Sequence, residues 1–178
     1  TIIKICERIR CSKYIKKIYG DIAMKNLRQI KDLIKNMTKK NSVNAQILLS
    51  NYMLERLLER ISISEFRDKF ILKGGMLIAA LVGVDMRSTM DMDATIKAYS
   101  VTKESIKSAF DNILSVQIDD GVDIIFKNIE EIRAEDEYEG FRVSLEAYMD
   151  NARIPLKVDI TTGDKITPKE VVYTFDLL

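Results

Sequence analysis

The chain has 178 residues, 47% hydrophobic and 31% charged, with two prolines and seven glycines, the composition of a folded globular domain rather than a disordered or fibrous chain. It has no histidine, which excludes a Ser-His-Asp triad, a Cys-His dyad, His-ligated zinc and a histidine base. The net charge of +1 hides an asymmetry: Thr1–Lys73 carries 17 Lys/Arg against 7 Asp/Glu, whereas Gly74–Leu178 carries 11 against 20.

Any catalysis must therefore use carboxylates, Lys or Arg, hydroxyls, backbone amides, or a metal held by oxygen. The basic front half either meets an anionic partner such as RNA or docks on the acidic half of its own chain, and the two are compatible. Cys6 and Cys11 match neither a C-x-x-C motif nor a zinc set, so a reducing, cytoplasmic setting is expected. No apolar run approaches the roughly 18 residues of a membrane span, and no membrane association is expected.

In Thr1–Ala23 the apolar positions, Ile2, Ile3, Ile5, Ile9, Ile15 and Ile18, do not settle into one helical stripe. Either Met24 is the natural start and residues 1–23 are an upstream extension, or this stretch is simply the first helix. In both cases it is expected to pack less tightly than the helix expected over 43–60. Leu27, Ile30, Leu33, Ile34 and Met37 predict an amphipathic helix over 25–39. Asn41–Ser42 reads as a break and N-cap before the second helix, 43–60. The charged positions of that helix, Glu55, Arg56, Glu59 and Arg60, read as a solvated face with i,i+4 pairing. Together these make a helical segment, 24–66.

From residue 67 the pattern changes to a sheet-bearing core, 67–178. Phe70-Ile71-Leu72 fits a short buried strand, followed by Gly74-Gly75 and an apolar helix, Met76–Val82. Met92–Ile96 is a second strand, and Thr102 caps a helix over Lys103–Leu114. Three longer strands are expected at Val122–Ile132, Phe141–Tyr148 and Ile154–Thr161, and a last one at Val171–Phe175. Asp119-Asp120-Gly121 and Glu139-Gly140 are turn signals, and Glu135–Glu139 reads as a hairpin tip. The fold class is α/β (α+β): a mixed β-sheet preceded by an N-terminal helical segment.

Three features carry chemistry. Lys73-Gly74-Gly75, between a strand and a helix, lets backbone amides approach an anion such as phosphate. Asp91 and Asp93 are two apart in an extended stretch, so both carboxylates point to one side. A divalent cation is the usual way to neutralise such a pair, the alternative being an Asx turn that caps the strand. Lys157 and Asp159 likewise share one side of their strand, either as part of the same site or as an ordinary exposed face.

The order strand, Gly-Gly, helix, D-x-D strand, later strand with one Asp is the layout of the nucleotidyltransferase fold shared by DNA polymerase beta. Phe70-Ile-Leu-Lys-Gly-Gly-Met-Leu77, Arg87-Ser-Thr-Met-Asp-Met-Asp93 and Lys157-Val-Asp-Ile160 resemble the AbiEii-type nucleotidyltransferase toxins of type IV toxin–antitoxin and abortive-infection systems, which serve in phage defence. The resemblance runs from about Met24 to the end. It implies Mg2+-dependent transfer of a nucleoside monophosphate from an NTP to an acceptor, with RNA, and the acceptor end of tRNA in particular, the leading candidate. Asp91, Asp93 and Asp159 would be the metal and catalytic carboxylates and Lys157 would offset phosphate charge. Gly74, Gly75, Arg87, Ser88 and Thr89 would bind the nucleotide. A cognate antitoxin would be functionally linked without necessarily touching the chain.

The family pattern continues into a helical region with a further lysine and aspartates, whereas this sequence stops at Leu178. The expectation is thus a fragment or truncated product lacking part of the site. A rival reading is a protein that binds nucleotide, RNA or a partner without turnover. A third is a globular domain whose aspartates merely cap strands.

Overall fold

A computed structural model describes residues 3–5, 27–41, 44–76, 91–97, 101–133, 139–161 and 171–173. Strand β1 is Ile3–Ile5, helix α1 Leu27–Asn41 and helix α2 Ala45–Ile63. Then come β2 (Phe70–Lys73), β3 (Asp91–Ile96), helix α3 (Lys103–Ser115), β4 (Asp123–Arg133), β5 (Glu139–Met149), β6 (Ala152–Thr161) and β7 (Val171–Tyr173). The mixed sheet has the order β4-β5-β6-β3-β2-β1-β7.

β4, β5 and β6 form an antiparallel meander, and β6 joins β3 in parallel. β2 lies antiparallel to β3, and β1 sits between β2 and β7. The Ile3–Ile5 backbone is thus a strand rather than the start of a helix. Ile2, Ile9 and the side chain of Ile5 fall outside what is described, as does most of the apolar helix expected at Met76–Val82.

The helices form for local reasons. Asn44 caps α2, accepting from the Gln46 amide at 2.7 Å, so the break lies slightly later than Asn41–Ser42 suggested. Thr102 and Ser105 form a reciprocal capping box at the start of α3. Ile30, Leu33 and Ile34 bury one face of α1. One apolar cluster joins the helices to the sheet through Leu54, Leu57, Phe70, Leu72, Phe110, Val143, Leu145 and Val158, with the Phe70 and Phe110 rings edge to face at 6.1 Å.

Two expectations are corrected here. The charged positions of α2 are not a solvated face, because Glu55 and Arg60 are 3% and 4% exposed. α2 packs on α1, on α3 and on β6, so little of its surface reaches water. The Arg60 guanidinium grips the Asp120 carboxylate at 2.8 and 3.1 Å and donates to the Val122 carbonyl at 2.6 Å, tying α2 to the turn before β4. Glu139-Gly140 is not a turn either but the start of β5. A Cβ on Gly140 would lie 3.1 Å from both the Ile132 side chain and the Ile160 carbonyl, so this glycine serves close strand packing. The remaining acidic run, 135–138, lies outside the described residues.

Candidate active site

Alternation assigns each strand residue to one of two faces. Met92, Ala94, Val158, Ile160, Phe141, Val143 and Leu145 turn into the core. Their neighbours Asp91, Asp93, Lys157, Asp159, Arg142 and Ser144 therefore emerge on the other face. The register then builds one row across five strands. Lys73 pairs with Asp93, Asp93 with Asp159, Asp159 with Arg142, and Arg142 with Glu130. Two carboxylates stand side by side at the centre of the row, flanked by one cation on each side. Asp91 lies two residues along β3, between Asp93 and the register partner Lys157.

The expected carboxylates are thus brought together by the parallel pairing of β3 with β6. Burial raises the Asp93 pKa above its ordinary value, and the neighbouring charges of Asp159 and Asp91 raise it further. Lys73 and a hydrogen bond from the Gly75 backbone N–H oppose that rise. Lys73 Nζ also donates to Thr161 Oγ1, which lies 3.2 Å from Thr95 Oγ1.

Gly74 has φ +67°, and a Cβ there would sit 1.9 Å from Asp93 Oδ2. The first glycine therefore gives the Asp93 carboxylate its place against the chain, and the second donates to it. Lys157 is exposed, between Asp91 and Ser144 in the register. Arg87, Ser88 and Thr89 lie outside the described residues.

Asp159 is engaged in a way the sequence did not announce. Arg142 holds it bidentately, Nε to Oδ1 and Nη2 to Oδ2, both at 2.7 Å. This pairing raises the guanidinium's already high pKa. The alternation of β5 does put Arg142 on the polar face, but the carboxylate it meets depends on the β5–β6 register, for which no local signal exists.

Among the described residues no three His, Cys, Asp or Glu side chains form a group that could hold a metal ion. A magnesium ion that keeps water and substrate phosphates needs only one or two carboxylates. Asp91 and Asp93 fit that demand, since they share a face and a cation would relieve the repulsion felt by Asp93. Asp159 fits only once its oxygens leave Arg142.

Among the described residues no helix is long and apolar enough to cross a membrane. No curated protein and no solved structure matches the chain significantly. Residues 56–178 match the family described as "Nucleotidyl transferase AbiEii toxin, Type IV TA system", a span that holds the Gly-Gly turn, the D-x-D strand, Arg142 and Asp159. The match covers more than half of the sequence, and the chain belongs to the AbiEii family of nucleotidyl transferase toxins of type IV toxin–antitoxin systems.

Proposed function

We propose that the polar face of the sheet binds a nucleoside triphosphate with Mg2+ and transfers its nucleoside monophosphate to an RNA hydroxyl, with tRNA the leading acceptor. The observation that carries this reading is the register pairing of Asp93 with Asp159, beside Asp91 and under the Gly74–Gly75 turn. In the reaction the acceptor oxygen attacks the α-phosphorus, the new O–P bond forms, the bond to the β-phosphate bridging oxygen breaks, and pyrophosphate leaves. The hydroxyl proton passes to a carboxylate of the cluster, Asp159 in this reading, and from there to solvent.

When bound, Mg2+ would supply charge neutralisation and orientation of the phosphates. Asp91 and Asp93 would hold it, and Lys157 would balance charge on the phosphates beside Asp91. Gly74 and Gly75 let Asp93 sit close to the chain, and Arg87, Ser88 and Thr89 would add phosphate contacts. The reaction belongs in the cytoplasm, where NTP and RNA meet, and a functionally linked antitoxin would restrain it.

The test is incubation with each α-labelled NTP in turn, magnesium and total RNA. Label that becomes acid-precipitable with the parent and not with Asp93→Asn supports transfer. One observation favours a second reading, binding without turnover: Arg142 occupies both oxygens of Asp159. Saturable NTP binding without label transfer would select it.

A further inference from the structure

The family match begins at residue 56, inside α2, so α1 lies outside it. α1 carries a patch that the site does not use. Arg28, Lys31, Lys35 and Lys39 are all exposed. At 3.6 residues per turn these four fall within an arc of about 80° and span about 16 Å of helix axis. The buried Ile30, Leu33 and Ile34 lie on the opposite side. The cations therefore project directly away from the core. None of the four makes a hydrogen bond or ion pair with another described residue. Asp32 is the one carboxylate in the helix.

We propose that this outer face of α1 is a docking surface for the phosphate backbone of RNA. A linear row of cations suits a linear polyanion, and a duplex strand offers one charge per about 3.4 Å of axis. A protein partner would need an apolar centre to the interface, whereas the exposed face of α1 presents Arg28, Gln29, Lys31, Asp32, Lys35, Asn36 and Lys39. A membrane-surface helix inserts its apolar face, and here that face is occupied by α2. The surface sits on the helical side of the molecule, since α1 rests on α2 and α2 rests on the core face of β6. Asp91, Asp93 and Asp159 emerge from the other face of the sheet. The RNA that uses both must be large enough to pass around the sheet edge, as a folded RNA of tRNA size is.

The choice of RNA rests on the transferase reading, but the test does not. Fluorescently labelled bulk tRNA is titrated into the parent without NTP or magnesium, over a range of salt. A second protein has Arg28→Gln, Lys31→Gln, Lys35→Gln and Lys39→Gln together, with helicity checked by circular dichroism. A third has Lys97→Gln, Lys103→Gln, Lys107→Gln and Lys127→Gln, an equal loss of charge elsewhere. The expected result is a salt slope shallower by about 3 and affinity down about tenfold or more for the α1 variant, with a smaller loss for the control. An unchanged slope, an equal loss in the control, no tRNA binding by the parent, or tighter binding to phosphatidylserine-containing vesicles would each overturn the proposal. Binding of tRNA by the parent without label transfer would sink the transferase reading and leave the docking surface standing.

Discussion

The place where a Cβ of residue 74 would stand is taken by the Asp93 carboxylate, whose Oδ2 lies 1.9 Å from that point. Gly74→Ala should therefore damage the fold and the site together. The left-handed backbone alone costs about 1–2 kcal/mol, or about 2–8 °C in Tm for a chain of this size. The displaced Asp93 adds a loss of magnesium–NTP binding. A variant that binds and melts like the parent would disprove this dependence of Asp93 on Gly74.

Asp93→Asn should separate binding from stability. In the parent, burial and the Asp159 and Asp91 charges raise the Asp93 pKa. The native state then holds a proton more tightly than the unfolded chain. Stability therefore falls as pH rises from the ordinary carboxylate pKa through the raised one, and the full penalty remains above it. Asn keeps the acceptor for the Gly75 N–H and removes the charge. At neutral pH the variant should melt no lower than the parent, and its pH profile should be flatter across that window. It should also lose most of the magnesium-dependent stabilisation by NTP. Melts with and without magnesium–NTP, across pH, provide the check.

Arg142→Gln releases both oxygens of Asp159. The Arg142 side chain is 36% exposed, so the pair contributes about 1 kcal/mol or less to stability. The freed carboxylate adds negative charge beside Asp93, and the magnesium-induced rise in Tm should grow. A smaller rise would mean that Arg142 orients Asp159 for the ion rather than competing with it.

Arg60→Ala tests the grip of α2 on the turn before β4. Arg60 and Asp120 are 5% and 6% exposed in their side chains. Removing one partner leaves the other charge buried, which costs about 3–5 kcal/mol. Arg60→Lys keeps the charge without the fork and should recover only part of it. Urea melts of both variants give the answer, and a loss below about 1 kcal/mol for Arg60→Ala would contradict it.

Much of this arrangement is written in local patterns. The alternation of Phe141, Val143, Leu145 and Ala147 marks the core face of β5, and Thr102 marks the start of α3. The carboxylates Asp91, Asp93 and Asp159 are marked by spacing and motif order. Pairing between distant segments is not legible. Arg60 resembles an ordinary surface charge because its partner, Asp120, lies 60 residues away. Arg142 carries no local mark because only the β5–β6 register aims it at Asp159. Glu139-Gly140 resembles a turn because glycine signals either a bend or a close approach, and Ile132 and Ile160 decide which.

The parallel junction of β3 with β6 sets the order in which the molecule comes together. β4, β5 and β6 follow one another along the chain and pair with their sequence neighbours, so they close over short loops. Asp93 and Asp159 are neighbours only after a crossover that contains α3 and both hairpins. Non-local pairings of this kind form slowly, because the closure entropy is lost before the contacts compensate it. The paired carboxylates should therefore be among the last features to appear, with φ-values near zero at β3–β6 contacts and higher ones within the meander. A nascent or partly melted chain therefore holds Asp93 and Asp159 apart, and on the proposed reading it would offer no assembled place for a nucleotide.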